Sequence, residues 1–361
     1  MVDWTAAMQQ TFEYYIVDPN TWKDVKKINN VIKSTISRDS EAETLGSASI
    51  TMTESIGEEY IRIYLVVNQN GMQSRHALGT YMIQTPMYSF DGKIKNITMD
   101  AYTPLIELKE KYPPLGYSLN KGDNIMDRVY DITKEQVRAP VIKSDKDDIL
   151  HYNFVSNLDN TWMTFVIDLL SNADMKVELD PQGQILFAPE QEMASLQPIW
   201  TYDVSNSSIL YPSLDAEHDL YGIPNEVEVI YSNGTSVSYV SVVNDDPNSP
   251  TSIQNRGRKI SHRITNPDVL GKPSDRELLE YATKMLKTLS SVEYTITYKH
   301  GYCPVRVGDC VRLNYEMAGL KNVKAKVISQ SIECVPGCPV TEKAVFSNEL
   351  WNGSGGNGFI K

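Results

Sequence analysis

TYMIQTPMYSFDGKIKNITMDAY, from Thr80 to Tyr102, and AKVISQSIECVPGCPVTEKAVF, from Ala325 to Phe346, read as one strand–turn–strand unit written twice. Laying one on the other puts Ile83 on Ile328, Gly92 on Gly337 and Met99 on Ala344, a constant offset of 245 (337 − 92). Both turns end in glycine, as Asp91-Gly92 and Pro336-Gly337, the dipeptides that let a chain reverse between strands. Two related β-modules far apart in one chain are a means of building pseudo-symmetry within a subunit. They point to assembly rather than to chemistry.

Upstream of the first copy the chain reads as short strands. Phe12 to Val17 precedes a turn at Asp18-Pro19-Asn20, and Ile28 to Ser37 is expected as one strand. Ser47 to Thr53 alternates small or polar with apolar residues, and Tyr60 to Val67 is strongly β-forming before the turn Asn68 to Gly71. This is the pattern of a β-barrel or sandwich over residues 1–112.

After Pro113-Pro114 the character changes. Gly122-Asp123-Asn124 is placed to cap a helix carrying Ile125, Met126 and Val129. Trp162, Phe165, Val166, Leu169 and Leu170 recur at helical spacing, and two short strands flank the turn Asp180-Pro181-Gln182-Gly183. Residues 113–215 therefore read as a small α+β insertion, with its elements between Lys121 and Ser213.

Strands return over 216–350, first around a hairpin signal at Asn233-Gly234. Asn244 to Arg258 reads as a polar, proline-bearing loop. The residues 274–290 predict a helix: Ser274 and Glu277 form a capping box, and Leu278, Leu279, Ala282, Met285, Leu286 and Leu289 make one apolar stripe, the mark of core packing. Residues 351–361 are glycine-rich and read as a flexible tail or linker. The fold class expected is mainly β with an α+β insertion: two related β-barrel modules separated by a small α+β domain.

The 361 residues suffice for two to four domains with cores of their own, and 41% hydrophobic residues is ordinary for a soluble globular chain. No apolar run is long enough to span a bilayer, and the opening MVDWTAAMQQTFEYY lacks the pattern of a signal peptide, so synthesis in a cytoplasm is expected. A net charge of −12 argues against a surface that grips nucleic acid. It suits a channel whose like charge lets DNA slide. The acidic stretch Asp145 to Asp148 reads as a solvated loop. The excess of tyrosine, 21 against 7 Phe, fits β-rich structure with large subunit contacts.

Catalytic chemistry is not legible. His76, His151, His218, His262 and His300 show no metalloprotease spacing, and there is no nucleophile elbow or phosphate loop. Glu58-Glu59 and Asp245-Asp246 are adjacent, so on a strand they would point to opposite faces and make poor acid/base partners. No catalytic, cofactor or metal residue is assigned. Cys303, Cys310, Cys334 and Cys338 all lie near the C-terminal end, and free thiols, a disulfide and a metal site remain open for them. The cytoplasmic expectation favours free thiols.

The phrases Ser37-Arg38-Asp39 and Leu45-Gly46-Ser47-Ala48-Ser49-Ile50, then Arg306 to Leu313, Lys326 to Ile332 and the helix Leu278 to Leu289, are similar to the opening and closing barrels of one family. The chain resembles, over nearly its whole length, the central hub proteins of phage tail baseplates and related injection particles, including the N-terminal part of tail-associated lysins. The resemblance implies a homotrimer. Its two barrels per subunit would make a pseudo-sixfold ring, which adapts a hexameric tail tube to a threefold spike or fibre. The implied partners are further copies of the chain, a tail tube or distal tail protein, a central spike, fibre or tail-tip protein, and a tape-measure protein. DNA would pass through the channel without specific binding, and the protein would sit in the virion at the tail tip or baseplate. Two other classes compete: a tail-associated cell-wall hydrolase, and a baseplate protein binding host-surface carbohydrate.

Overall fold

Asn70 and Gly71 both have positive φ, +53° and +76°. That geometry matches the right-handed twist of flanking strands and turns Tyr60–Gln69 back on Met72–Phe90. The computed structural model describes residues 2–90, 92, 93, 95–191, 195–218, 222–232, 237–247, 249, 251–265, 274–290 and 293–347. Its first strands are β1 (Gln9–Val17), β2 (Asp24–Ile28), β3 (Val31–Asp39), β4 (Gly46–Met52), β5 (Tyr60–Gln69), β6 (Met72–Phe90) and β7 (Lys95–Tyr102). They pair in the order β3-β4-β7-β6-β5-β1-β2. Tyr14, Ile28, Ile36, Ile50, Ile63, Leu78 and Met99, contributed by every strand of that path, share one buried cluster. A sheet whose two end strands meet in one core must curl on itself, which is the barrel expected.

The strand expected from Ile28 to Ser37 is two strands. β2 ends at Ile28 and pairs with β1, whereas β3 starts at Val31 and pairs with β4. Asn29-Asn30 carries the chain between opposite ends of the path. An unbroken strand cannot serve two distant neighbours at once.

A short helix α1 (Ile106–Lys109) leads into β8 (Ser118–Leu119), α2 (Ile125–Gln136), β9 (Phe154–Val155), α3 (Trp162–Ser171), β10 (Met175–Leu179) and β11 (Ile185–Pro189). Asn124 caps α2 by accepting from the Asp127 amide, and Thr161 caps α3 by accepting from that of Thr164. The apolar faces of α2 and α3 close over a cluster that also holds Val17, Trp22, Tyr60 and Met82 of the barrel. β10 and β11 pair antiparallel through the expected turn.

Next come β12 (Pro198–Asp203) and β13 (Leu210–His218), and further on β14 (Glu226–Ser232), β15 (Val237–Val243), α4 (Ile253–Arg256), β16 (Ser261–Thr265) and α5 (Asp275–Leu289). The last strands are β17 (Glu293–Gly301), β18 (Cys310–Tyr315), β19 (Leu320–Glu333) and β20 (Pro339–Ser347). The chain divides into two compact units: Met1–Leu214, Thr297–Glu316 and Ala325–Ala344 form the larger, Asp215–Ile296, Met317–Lys324 and Val345–Lys361 the smaller. The boundary expected after residue 215 falls inside β13.

In the smaller unit, β15-β14-β16 form a sheet against which α5 sets Leu278, Ala282 and Leu286, beside Val227 and Val229. The capping box is present: Glu277 N–H donates to Ser274 Oγ, and Ser274 N–H to Glu277 Oε2. The Asn244 to Arg258 segment, expected as a plain loop, contains α4 and is tied together by Asn244 and Asn255 side chains. The hairpin signal Asn233-Gly234, Asp91 of the first repeated turn and the tail 351–361 lie outside the described residues.

Candidate functional site

The second hairpin is where the molecule is most unusual. β19 is long; Val327 exchanges backbone bonds with Gly308 and Asp309 at 2.8 and 2.9 Å, just before β18 begins. Beyond that point β19 overshoots β18 and takes β3 as neighbour, antiparallel, with Ser329 opposite Asp39 and Glu333 opposite Thr35. The Cys334 amide continues the ladder to the Ser34 carbonyl at 3.0 Å. The tip then turns through Pro336-Gly337, with Gly337 at φ +91° and the Cys338 amide bonded to the Val335 carbonyl at 2.8 Å. Proline before a positive-φ glycine is the chemistry of a type II turn.

Ile332, Cys334, Cys338 and Val340 from this hairpin are buried in the core of the first barrel. The thiols of Cys303, Cys310, Cys334 and Cys338 are all buried, and none of the four is in a disulfide. Burial pushes Cys334 up to about 11 and Cys338 higher still. Thiols so held are protonated at neutral pH and serve as small apolar fillers. Among the described residues no group of His, Cys, Asp and Glu is placed to hold a metal ion.

Beneath the seam runs a buried polar network that the sequence reading did not assemble. Arg38 donates to Gln330 Oε1 at 3.0 Å and to the Leu78 carbonyl at 2.7 Å. The Gln330 amide nitrogen donates to Glu342 Oε2 at 2.7 Å and to the Val305 carbonyl at 3.0 Å. Glu342, fully buried, also accepts from the Tyr298 hydroxyl and faces His300 Nε2 at 3.4 Å. His300 Nδ1 lies 2.7 Å from the Gly301 carbonyl, so each ring nitrogen has an acceptor beside it, an arrangement that favours the protonated ring. Burial alone would lower its pKa; hydrogen bonds to Cys303 and Glu342 outweigh burial and raise it to about 10. Tyr202 completes the group at 3.1 Å from His300 Nε2 and 3.2 Å from Cys303 Sγ. The network is closed to solvent, so it stabilises and orients strands rather than offering a reactive group.

A second joint fastens the α+β insertion to the barrel. The Gln182 carbonyl accepts from Trp22 Nε1 (2.9 Å), Thr80 Oγ1 (2.7 Å) and Arg62 Nη2 (3.1 Å). Next to it, Gly183 has φ +79°, and a Cβ there would stand 2.8 Å from Thr80 Cβ. Only glycine allows that approach.

The other residues singled out from sequence do not converge. His151 and His262 are exposed, and His76 lies against Trp4 and Ser74, its pKa lowered by burial. His218 has only its backbone described. Glu58, Glu59, Asp245 and Asp246 are exposed. Among the histidines whose side chains are described only His300 enters this network, whose other members Arg38, Gln330 and Glu342 lie far apart in sequence. The available signal is Glu342, a charged residue in the alternating buried positions Val340, Ala344 and Phe346 of β20.

The strand orders repeat along with the hairpins. The path β3-β4-β7-β6-β5-β1 in the first barrel has its counterpart in β13-β17-β20-β19-β18-β12. Each is a three-strand meander extended by two strands on one side and one on the other. The last pair differs in direction, antiparallel for β1 and β5, parallel for β12 and β18.

No protein-family model and no curated protein matches the sequence. Solved structures do. A tail protein from Neisseria meningitidis MC58 aligns with a TM-score of 0.66 at 13% identity, over 95% of this chain and 98% of that one. The 43 kDa tail protein of prophage MuSo2 from Shewanella oneidensis gives 0.63 at 12% identity, over 93% and 98%. The lidded Francisella PdpA–VgrG complex gives 0.58 at 10% identity, over 94% of this chain and 53% of that one. Shared over nearly its full length, the architecture of this chain is the fold of these phage tail proteins.

Proposed function

We propose that this chain is a structural hub protein of a phage tail baseplate or a related injection particle, without enzymatic activity of its own. Three copies form a ring in which two barrels per chain occupy alternate positions, giving pseudo-sixfold symmetry. One face seats on a hexameric tail tube or distal tail protein; the other receives a threefold spike, fibre or tail-tip protein. DNA and a tape-measure protein pass through the centre, and the net charge of −12 suits a wall that repels phosphates. The location is the tail tip or baseplate of the virion, after assembly in the host cytoplasm.

The observation that carries this reading is the repeated strand order, with both repeats in one sheet. A duplicated module has no evident use in a monomer, but it lets a threefold object match a sixfold one. The domain proposal follows: a first barrel over 1–112, an insertion from 113, and a second barrel that recruits β12 and β13 and has its remaining strands within 216–350. Native mass spectrometry of the purified chain tests the stoichiometry. The expected species is three times the 40.7 kDa of one chain. A monomer both in isolation and in purified particles contradicts the proposal.

A further inference from the structure

The seam between β19 and β3 has an unfilled counterpart. By the offset of 245, Ser329 to Glu333 correspond to Gln84 to Tyr88 of β6. In the first hairpin, β5 accompanies β6 only as far as the pair Tyr60 and Met82, and from Thr85 to Phe90 its one ladder partner among the described strands is β7. β3, the strand that β19 overshoots to reach, corresponds by strand order to β13. That strand ends the sheet path, with β17 as its one neighbour among the described strands, although the Pro212 carbonyl accepts a side-chain bond from Tyr315 Oη at 3.0 Å. Among the described strands, one edge of each counterpart thus has no ladder partner.

Side chains tell the same story. Ile332 is fully buried in the cis seam, while its equivalent Met87 is 64% exposed. Tyr88 and Phe90 on the opposite face of β6 are also exposed, Phe90 at 71%, with Lys95 lying over the Tyr88 ring at 4.6 Å. Tyr211, Pro212 and Ser213 of β13 are exposed too. An apolar, two-faced open edge is an aggregation risk that a chain does not normally leave uncovered. Pro86 and Pro212 each remove one backbone donor, which suits strands that spend time as edges.

We infer that the distal half of β6, Gln84 to Phe90, pairs antiparallel with Leu210 to Leu214 of β13 in a second copy of this chain, and that Met87 enters that copy's second barrel as Ile332 enters the first barrel in cis. The inference rests on the ring proposed above and supplies its contact: cis seams and trans seams alternate, so one kind of junction closes the circle. Each trans seam is heterologous, which generates a ring when the rotation closes. The two prolines cost it backbone bonds that the cis seam has, and the exposed Met87, Tyr88 and Phe90 supply apolar area instead.

The test uses Met87→Cys labelled with a maleimide-benzophenone, since the native thiols are buried. Isotope-labelled and unlabelled chains are mixed, irradiated and mapped by mass spectrometry. Cross-links from position 87 to 210–214 of a different chain are expected. A trimer whose cross-links from 87 fall elsewhere, or within the same chain, overturns the seam and leaves the ring intact. A chain that stays monomeric overturns both. Should the label itself block assembly, the reciprocal Ser213→Cys label is expected to reach 84–90. Met87→Asp is then expected to lower trimer affinity by about tenfold or more at unchanged melting temperature; unchanged affinity contradicts the seam.

Discussion

Arg38 and Gln330 stand 292 positions apart in the chain and 3.0 Å apart in space, side chain to side chain. Each lies on one strand of the β3–β19 seam, directly opposite the other in the ladder. The guanidinium fixes the Gln330 amide, the amide fixes Glu342, and Glu342 holds His300 and Tyr298. The seam between the second hairpin and the first barrel is therefore locked by a polar core as well as by backbone bonds.

Removing Arg38 should be costly. Arg38→Ala leaves the Leu78 carbonyl and Gln330 Oε1 buried without their donor. The expected loss is about 3 kcal/mol in urea unfolding, the usual scale for breaking a buried charged network from one side. A change below about 0.5 kcal/mol would show that the network does not hold the seam.

Stability should fall on the alkaline side. The folded pKa of His300, about 10, lies above the ordinary value of 6.5. The stabilisation is full below about pH 6.5 and is lost as pH rises towards about 10, on the order of a few kcal/mol. His300→Met should be less stable near neutrality and show a flatter profile across that window. Parallel unfolding curves for the two proteins from neutral to alkaline pH would rule the imidazolium out.

Gly183→Ala should cost about 1–3 kcal/mol, because strain at φ +79° adds to a clash with Thr80 that also displaces the Gln182 carbonyl. Gly116 supplies the control, with φ +74° and open space around it. Gly116→Ala should cost about 1 kcal/mol or less. Equal melting temperatures for the two variants would mean the close approach carries no weight.

The hairpins, the capped helices and the Asp180 to Gly183 turn were legible because each is written in a few consecutive residues. Ser274 and Glu277 predict α5, and they do form its capping box. Three things were not legible. The break at Asn29-Asn30 depends on which strands β2 and β3 pair with. The membership of β12 and β13 in the second repeat is hidden because β14 to α5 intervene before β17. The role of Cys334 and Cys338 depends on where the second hairpin ends, inside the first barrel's core. Local patterns gave elements; long-range pairing, set by packing, gave the site.

The thiols should be silent in the folded protein. With all four cysteines buried, a colourless-to-coloured thiol reagent should report none at neutral pH and four after denaturation. A strong chelator should leave the melting temperature unchanged. Rapid labelling of one or more thiols in the native state would contradict the packing described for Cys334 and Cys338.

The central claim, that a repeated barrel order within one chain serves a ring, is tested most directly by electron cryo-microscopy of the purified protein viewed down its symmetry axis. The account predicts a threefold particle with six similar lobes around an open centre, adjacent lobes joined alternately within and between chains. Class averages showing single, asymmetric molecules, or a closed particle of twofold symmetry, would contradict it.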